Sequence, residues 1–287
     1  PTPGPTAAPL AAEDIEWETN NDDPPIGDPK AIRGGTLRMA WPSYPTTFRL
    51  VGPNSNDMFA NWNNAFATDF GLVWRHPTTD NFIPVLATHW SVQDDHRTVY
   101  YKLNENVRWS DGEPVTADDY VFALEFMTDE RIRDPFMNKS VEDVFQTVEK
   151  VNEYTIRVVG KQESWRPLND FNLSPFPEHA INLTEEWVDE VNYDPPVVVG
   201  PYVIDDWKTN EYVAFKRLQN WWGDELHYLK GLYNPDELVL RVLPDRDRQL
   251  DYFRKGQLDY HEIYTARTWA EEMDFEAMNK GWAKARR

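Results

Sequence analysis

The stretch GPYVIDDWKTNEYVAFKRL, from Gly200 to Leu218, constrains the fold more than any other. Two arms, Tyr202–Trp207 and Tyr212–Arg217, flank a turn at Lys208–Glu211. That pattern predicts an antiparallel β-hairpin. Further strands are predicted at GGTLRMAW (Gly34 to Trp41), RTVYYKL (Arg97 to Leu103), YTIRVVG (Tyr154 to Gly160) and DELVLRVLP. VEKVNE is read as the other arm of a second hairpin, turning at Asn152 and Glu153. Leu258–Tyr260 are expected to begin one more strand.

Helices are interspersed with these strands. Phe59, Trp62, Phe66 and Phe70 recur at helical spacing and predict a helix with an aromatic face. DRDRQLDYFRKGQLDY predicts a short helix capped by Asp245, with Leu250 and Phe253 inward and Gly256 ending it. Strands outnumber helices, and there is no internal repeat. The fold class is therefore mixed α/β (α+β), and 287 residues suffice for two ordinary domains.

RWSDGEPVTADDYVFALEFM, from Arg108 to Met127, packs five carboxylates into a short span. Local chemistry accounts for them. Thr116 precedes a helix, and its hydroxyl is placed to accept the Asp119 amide. Asp118 and Asp119 sit at the positive end of the helix dipole. Tyr120, Leu124 and Met127 share a face with Val121. Asp111-Gly112 is a turn signal, and Glu113 and Glu125 need only solvent. The alternating oxygen ligands of a calcium loop are absent.

Charge narrows the partners. Lys+Arg 29 against Asp+Glu 49 gives a formal charge of -20. Such a surface repels phosphate backbones and anionic bilayers, so no nucleic-acid partner is expected. With no cysteine there is no thiolate nucleophile and no Cys-based zinc site. The six histidines include no i, i+4 pair, and there is no G-x-S-x-G elbow, P-loop or G-x-G-x-x-G. Adjacent acids at Asp94-Asp95 and Asp205-Asp206 lie beside turns. No catalytic residue, metal or cofactor is assigned. No apolar run approaches the ~18 residues that span a bilayer. Residues 1–33, rich in Pro, Ala, Thr and acids, are expected to form a disordered tether suited to a protein held near a membrane. The 13 tryptophans, among them Trp221 and Trp222 in NWWGDE, are either core packing or the stacking wall of a cleft.

Three ordered blocks carry a resemblance. LATHWSVQDDHRTVYYKLNENVRWSDGEPVTADDYVFALEFM, VVVGPYVIDDWKTNEYVAFKRLQNWWG and VLPDRDRQLDYFRKGQLDY together resemble the family 5 extracellular solute-binding proteins, the peptide receptors of ABC importers. KGLYNPDEL and YTARTWAEEMDF resemble the Yej-type branch, linked to muropeptide and microcin C uptake. The similarity covers roughly residues 34 to 280. It departs at VVVGPY, which lacks the family's glycine two residues before Gly-Pro.

The resemblance implies a periplasmic binding protein fold of type II. Family members are about twice as long, so the chain is expected to be a fragment that holds lobe I, with the second lobe largely missing. The expected partition is 34–62 with 195–259 as the core-sheet subdomain, 63–194 as a second subdomain, and 260–287 as the crossover into lobe II. The implied function is an oligopeptide receptor that closes two lobes on its ligand and delivers it to permease subunits. A monomer at the periplasmic or extracellular face of the membrane, lipoprotein-like with an anchored tether, is expected.

By position, three places are implied to line the lobe I side of the cleft. One is the loop of Tyr44, Pro45, Thr46, Thr47 and Phe48, with unpaired amides and carbonyls; the alternative is an ordinary surface loop. The second is Phe136, with core packing as the alternative. The third is His261, Glu262 and Tyr264, where Glu262 would take a ligand ammonium or be an exposed strand carboxylate. An oligosaccharide ligand on the same fold is one rival. A secreted cell-wall hydrolase is another, and it requires two carboxylates across a groove, one with a raised pKa. A structural module without a cleft is the third.

Overall fold

The computed structural model describes residues 8–67 and 70–284. In chain order its strands and helices are β1 (Thr36–Trp41), α1 (Met58–Ala67), β2 (Val73–Arg75), β3 (Phe82–Pro84), β4 (Ala87–Val92), β5 (Thr98–Leu103), α2 (Ala117–Thr128), α3 (Pro135–Val144), β6 (Phe145–Asn152) and β7 (Thr155–Gly160). They continue with α4 (Pro167–Asp170), α5 (Trp187–Glu190), β8 (Tyr202–Lys208), β9 (Tyr212–Arg217), β10 (Glu237–Val242), α6 (Arg246–Arg254), α7 (Ala266–Glu271) and α8 (Glu276–Asn279). They form two compact units. Unit 1 takes the chain up to Ile32, Pro45–Val203 and Leu218–Tyr233; unit 2 takes Arg33–Tyr44, Ile204–Arg217 and the chain from Asn234 onward.

Unit 1 is built on an antiparallel sheet of order β4-β5-β7-β6. Successive strand residues face opposite sides. Even so, Val99, Tyr100 and Tyr101 of β5 are all fully buried, so both faces of that strand are covered. Tyr101 donates its hydroxyl to the Phe171 carbonyl at 3.2 Å, while the Tyr100 hydroxyl accepts the Leu10 amide at 2.8 Å. Helix α2 lies against β6 and β7 and buries Tyr120, Ala123, Phe126 and Met127. Its start is the expected one. Asp119 closes a capping box with Thr116 and accepts the Thr116 amide at 2.8 Å. Asp119 is itself buried, unlike a solvated dipole partner, and also accepts the Glu178 amide at 3.2 Å. Its neighbour Asp118 pairs with Lys150 at 2.5 Å.

The tryptophan question resolves toward packing at Trp221 and Trp222. Both are buried, and both indole N–H groups donate to the Val199 carbonyl, at 2.9 and 2.8 Å. Phe70, just past α1, stands edge-on to Trp221 at 5.4 Å between ring centroids. The residue after Val199, Gly200, permits a close approach: a Cβ there would lie 1.6 Å from the Phe66 carbonyl oxygen.

The expectation of a tether over residues 1–33 needs correction where the structure describes it; residues 1–7 lie outside the described residues. Glu18 and Trp90 exchange backbone hydrogen bonds of 2.8 and 3.0 Å, and the Ile26 amide donates to the Tyr228 carbonyl at 3.2 Å. The Tyr228 hydroxyl donates to the Asn20 carbonyl, and Ile15 is buried. Proline disfavours a long helix here, and among the described residues of this stretch only a single 3-10 turn forms, at Ala12–Asp14; the extended backbone around it keeps N–H and C=O groups that pair with neighbours, and apolar burial offsets the ordering entropy.

Unit 2 holds a sheet of order β1-β10-β9-β8. β1 runs parallel to β10, from Thr36 opposite Glu237 to Trp41 opposite Val242, and β10 is antiparallel to β9. The β8–β9 hairpin forms as its sequence predicts. Glu211 donates to the Lys208 carbonyl at 2.8 Å, and Asn210 takes the positive φ (62°) that such a tight loop demands of one residue. The Asp245 carboxylate caps α6 by accepting the Arg248 amide at 2.8 Å, Leu250 is buried, and Gly256 follows at φ 68°. The strand expected at Leu258–Tyr260 does not develop; it is reduced to a single parallel bridge between Met39 and Tyr260.

Candidate ligand-binding segments

The loop Pro45–Phe48 belongs to unit 1 and is tied down by Asn192. The Phe48 amide and the Thr47 hydroxyl both donate to the Asn192 carbonyl, at 2.8 and 2.9 Å. The Asn192 side chain donates back to the Thr46 carbonyl at 3.3 Å, and the Tyr193 hydroxyl donates to the Pro45 carbonyl at 3.3 Å. The expectation that this backbone stands unpaired is therefore corrected. Phe48 is fully buried between Phe59 and Tyr193, and Thr47 is 1% exposed. Their side chains brace the loop and offer nothing to solvent. Pro45 is buried as well; Thr46 is exposed, with its hydroxyl 3.3 Å from Asp57. Tyr44, half-buried, falls in unit 2.

Phe136, near the N-terminus of α3 in unit 1, is 82% exposed and so is not a core residue of that unit. Pro135 opens α3, and the Asp134 carboxylate caps it by accepting the Met137 amide at 3.0 Å; this holds the ring outward at the head of the helix.

In unit 2 the residues after the Met39–Tyr260 bridge form a small cluster. Glu262 is exposed and accepts the Tyr260 hydroxyl at 2.8 Å and the Tyr264 hydroxyl. The Glu262 bond raises the Tyr260 phenol above its ordinary range. Tyr264, 66% exposed, lies under the Arg246 guanidinium at 4.6 Å from the ring centroid. His261 is half-buried 6.1 Å from Phe253, and burial holds it below its ordinary pKa against the pull of Glu262. Glu262 thus links to Tyr264 by a hydrogen bond and acts on His261 through its charge. Two hydroxyl donors fix the direction of the carboxylate and leave it facing solvent, which suits it to accept from an ammonium or an amide N–H.

A hydrolase needs an acid with a raised pKa, and among the described residues the carboxyl so shifted is that of the buried Asp119. Its oxygens are already engaged by the Thr116 and Glu178 amides. Among the described residues no group of three or more His, Cys, Asp or Glu is arranged to hold a metal, and no helix is long and apolar enough to cross a membrane. The sequence reading missed Arg49 and Asn192. A charge between Phe48 and Leu50 was a signal for Arg49; a lone Asn in a polar turn gave none.

The mixed α/β fold of this chain matches a part of solved solute-binding proteins. The oligopeptide-binding protein AppA of Bacillus subtilis, solved in complex with a nonapeptide, superposes with a TM-score of 0.70 at 20% identity, over 86% of this chain and 47% of AppA. Residues 81–285 match the Bacterial extracellular solute-binding proteins, family 5 Middle, and the chain belongs to that family. Peptidoglycan-binding protein YepA of Agrobacterium fabrum is 28% identical over 199 residues, covering 66% of this chain and 32% of YepA. YejA of Escherichia coli is 26% identical over 196 residues, covering 66% of this chain and 31% of YejA. The chain spans about a third of the length of these curated relatives.

Proposed function

We propose that this chain forms part of an oligopeptide receptor of an ABC importer and supplies contacts to the ligand from the cluster Tyr260–Tyr264, with Glu262 accepting from the ligand's main chain or amino terminus. Phe136 adds an exposed aromatic surface for an apolar side chain.

The observation that carries this reading is the orientation of Glu262 by two tyrosine hydroxyls in a chain of this family. A fixed, exposed acceptor recognises N–H groups of any peptide sequence, which suits a receptor of broad range. The names of YepA and AppA support a peptide or peptidoglycan fragment as ligand. Ligand binding would shift a lobe-closing equilibrium toward the form the permease recognises. The receptor would act as a monomer at the periplasmic or outer face of the cell membrane.

Calorimetric titration of the full-length receptor with tri- to nonapeptides and with oligosaccharides tests this. Micromolar binding of peptides, weakened in Glu262→Gln, is expected. Binding of oligosaccharides alone would sink the proposal.

A further inference from the structure

We propose that unit 1 carries a binding pocket for a small apolar monocarboxylate, with the Arg49 guanidinium as partner of the anionic head. The pocket has a volume of about 200 Å³. Phe126, Phe176, Ile181, Trp187 and Val197 supply apolar wall, and its charged residues are Arg49 and Asp194. The aromatic side is braced: the Phe126 ring centroid lies 5.0 Å from that of Phe176 and 5.3 Å, edge-on, from that of Trp187.

Arg49 is 5% exposed. It donates to the Val51 carbonyl at 2.8 Å, the Pro53 carbonyl at 2.9 Å and the Asn192 side-chain oxygen at 3.4 Å. These bonds account for a structural role, since they hold the loop around Gly52, where a Cβ would lie 2.5 Å from the guanidinium. They do not explain the charge. All three acceptors are neutral, and among the described residues the enclosed Nε has no hydrogen-bond partner. Among the described residues no carboxylate stands within ion-pair distance of Arg49. A buried cation with no carboxylate in contact is a costly arrangement: burial lowers the Arg49 pKa, and the more distant Asp189 carboxylate, itself paired with Arg133, offsets this only in part. An anion entering from solution would complete it.

Size and charge set the class of ligand. An apolar cavity of about 150 Å³ admits benzene, so this pocket takes a phenyl ring or branched alkyl chain bearing one carboxylate. Asp194 on the wall and the overall charge of -20 repel anions in proportion to their charge, which favours a monoanion over dianions and phosphates. The inference needs residues of unit 1 alone and stands whether or not the peptide-receptor reading holds.

The test is titration of the chain with phenylacetate and with its neutral isostere phenylacetamide, followed by calorimetry and saturation-transfer NMR. Phenylacetate should bind at least about tenfold more tightly, the gain of a charge-assisted hydrogen bond. Ile181→Trp, which fills the pocket, should abolish binding of both. Arg49→Met should bring the two ligands to equal affinity; if that variant does not fold, the isostere comparison and Ile181→Trp decide. Equal affinities in the unaltered chain, no binding at millimolar concentration, or phenylacetate binding that survives Ile181→Trp would each overturn the proposal.

Discussion

Arg38 and Asp259 are clasped twice through the main chain. The Asp259 amide donates to the Arg38 carbonyl at 2.8 Å, and the Arg38 amide donates to the Asp259 carboxylate at 2.8 Å. The ion pair between the same side chains is long, 3.4 Å, and substantially exposed, so it contributes little. The amide bond is the stronger tie. Asp259→Ala should therefore cost about 1 kcal/mol. Hydrogen exchange at the Arg38 amide should accelerate by roughly the matching factor. Arg38→Met, which removes only the ion pair, should leave that amide's exchange nearly unchanged.

Asp119 gives a prediction about pH. Burial raises its folded carboxyl above the ordinary 3.8, outweighing the amide hydrogen bonds that favour the charged form. The folded state then binds the proton more tightly than the unfolded state. Asp119 thus adds stability that is fully present below its unfolded pKa and is lost as pH rises through its folded pKa. Asp119→Asn cannot titrate and supplies one acceptor for two amides, leaving a donor unpaired at a cost of about 1–3 kcal/mol. The stability gap between the parent and Asp119→Asn should be widest below the unfolded pKa and should narrow as pH rises through that window. Urea unfolding of both proteins across a pH series measures it; a gap independent of pH would contradict the assignment.

Gly200 is set by close approach to the Phe66 carbonyl. Gly200→Ala puts a methyl group where backbone stands on both sides, and neither can rotate away. The substitution should cost more than about 4 kcal/mol. Differential scanning calorimetry should show loss of the cooperative transition of unit 1.

The two indoles on the Val199 carbonyl should behave as a coupled pair. Trp221→Phe leaves the carbonyl satisfied by Trp222, and the converse holds. Each single variant should lose about 1 kcal/mol, and the double variant more than their sum, because only then is the buried acceptor orphaned. A double-mutant cycle in guanidinium chloride provides the check.

For ligand binding, Glu262→Gln in the full-length receptor should weaken a peptide about tenfold if an ammonium is its partner, and much less if an amide N–H is. Tyr264→Phe, which frees the carboxylate from one donor without removing it, should have the smaller effect of the two. The ratio of dissociation constants reports which group Glu262 meets.

The parts of this fold that were legible in the sequence are those fixed by nearby residues. The β8–β9 hairpin, the capping of α2 by Thr116 and Asp119, and the Asp245 start of α6 all depend on groups a few positions apart. What stayed hidden depends on distant partners. Thr47 and Phe48 look like a loop until Asn192 and Tyr193 close over them. The alternation in RTVYYKL suggests one covered face, but Leu10 and Phe171 reach Tyr100 and Tyr101 on β5 from elsewhere in the chain. The Tyr260–Tyr264 cluster was located through family resemblance, and the tyrosine hydroxyls that steer Glu262 came from the structure alone.

The backbone exchange between Glu18 and Trp90 has a practical bearing on how the protein should be produced. It occupies the outward margin of β4, the terminal strand of its sheet. A version trimmed past residue 20 would present that margin bare, with donors and acceptors at strand spacing, ready to recruit the same strand from another molecule. Self-association, growing with concentration, would be the mark of such a trimmed protein, and the residues before β1 would then count as a guard of solubility.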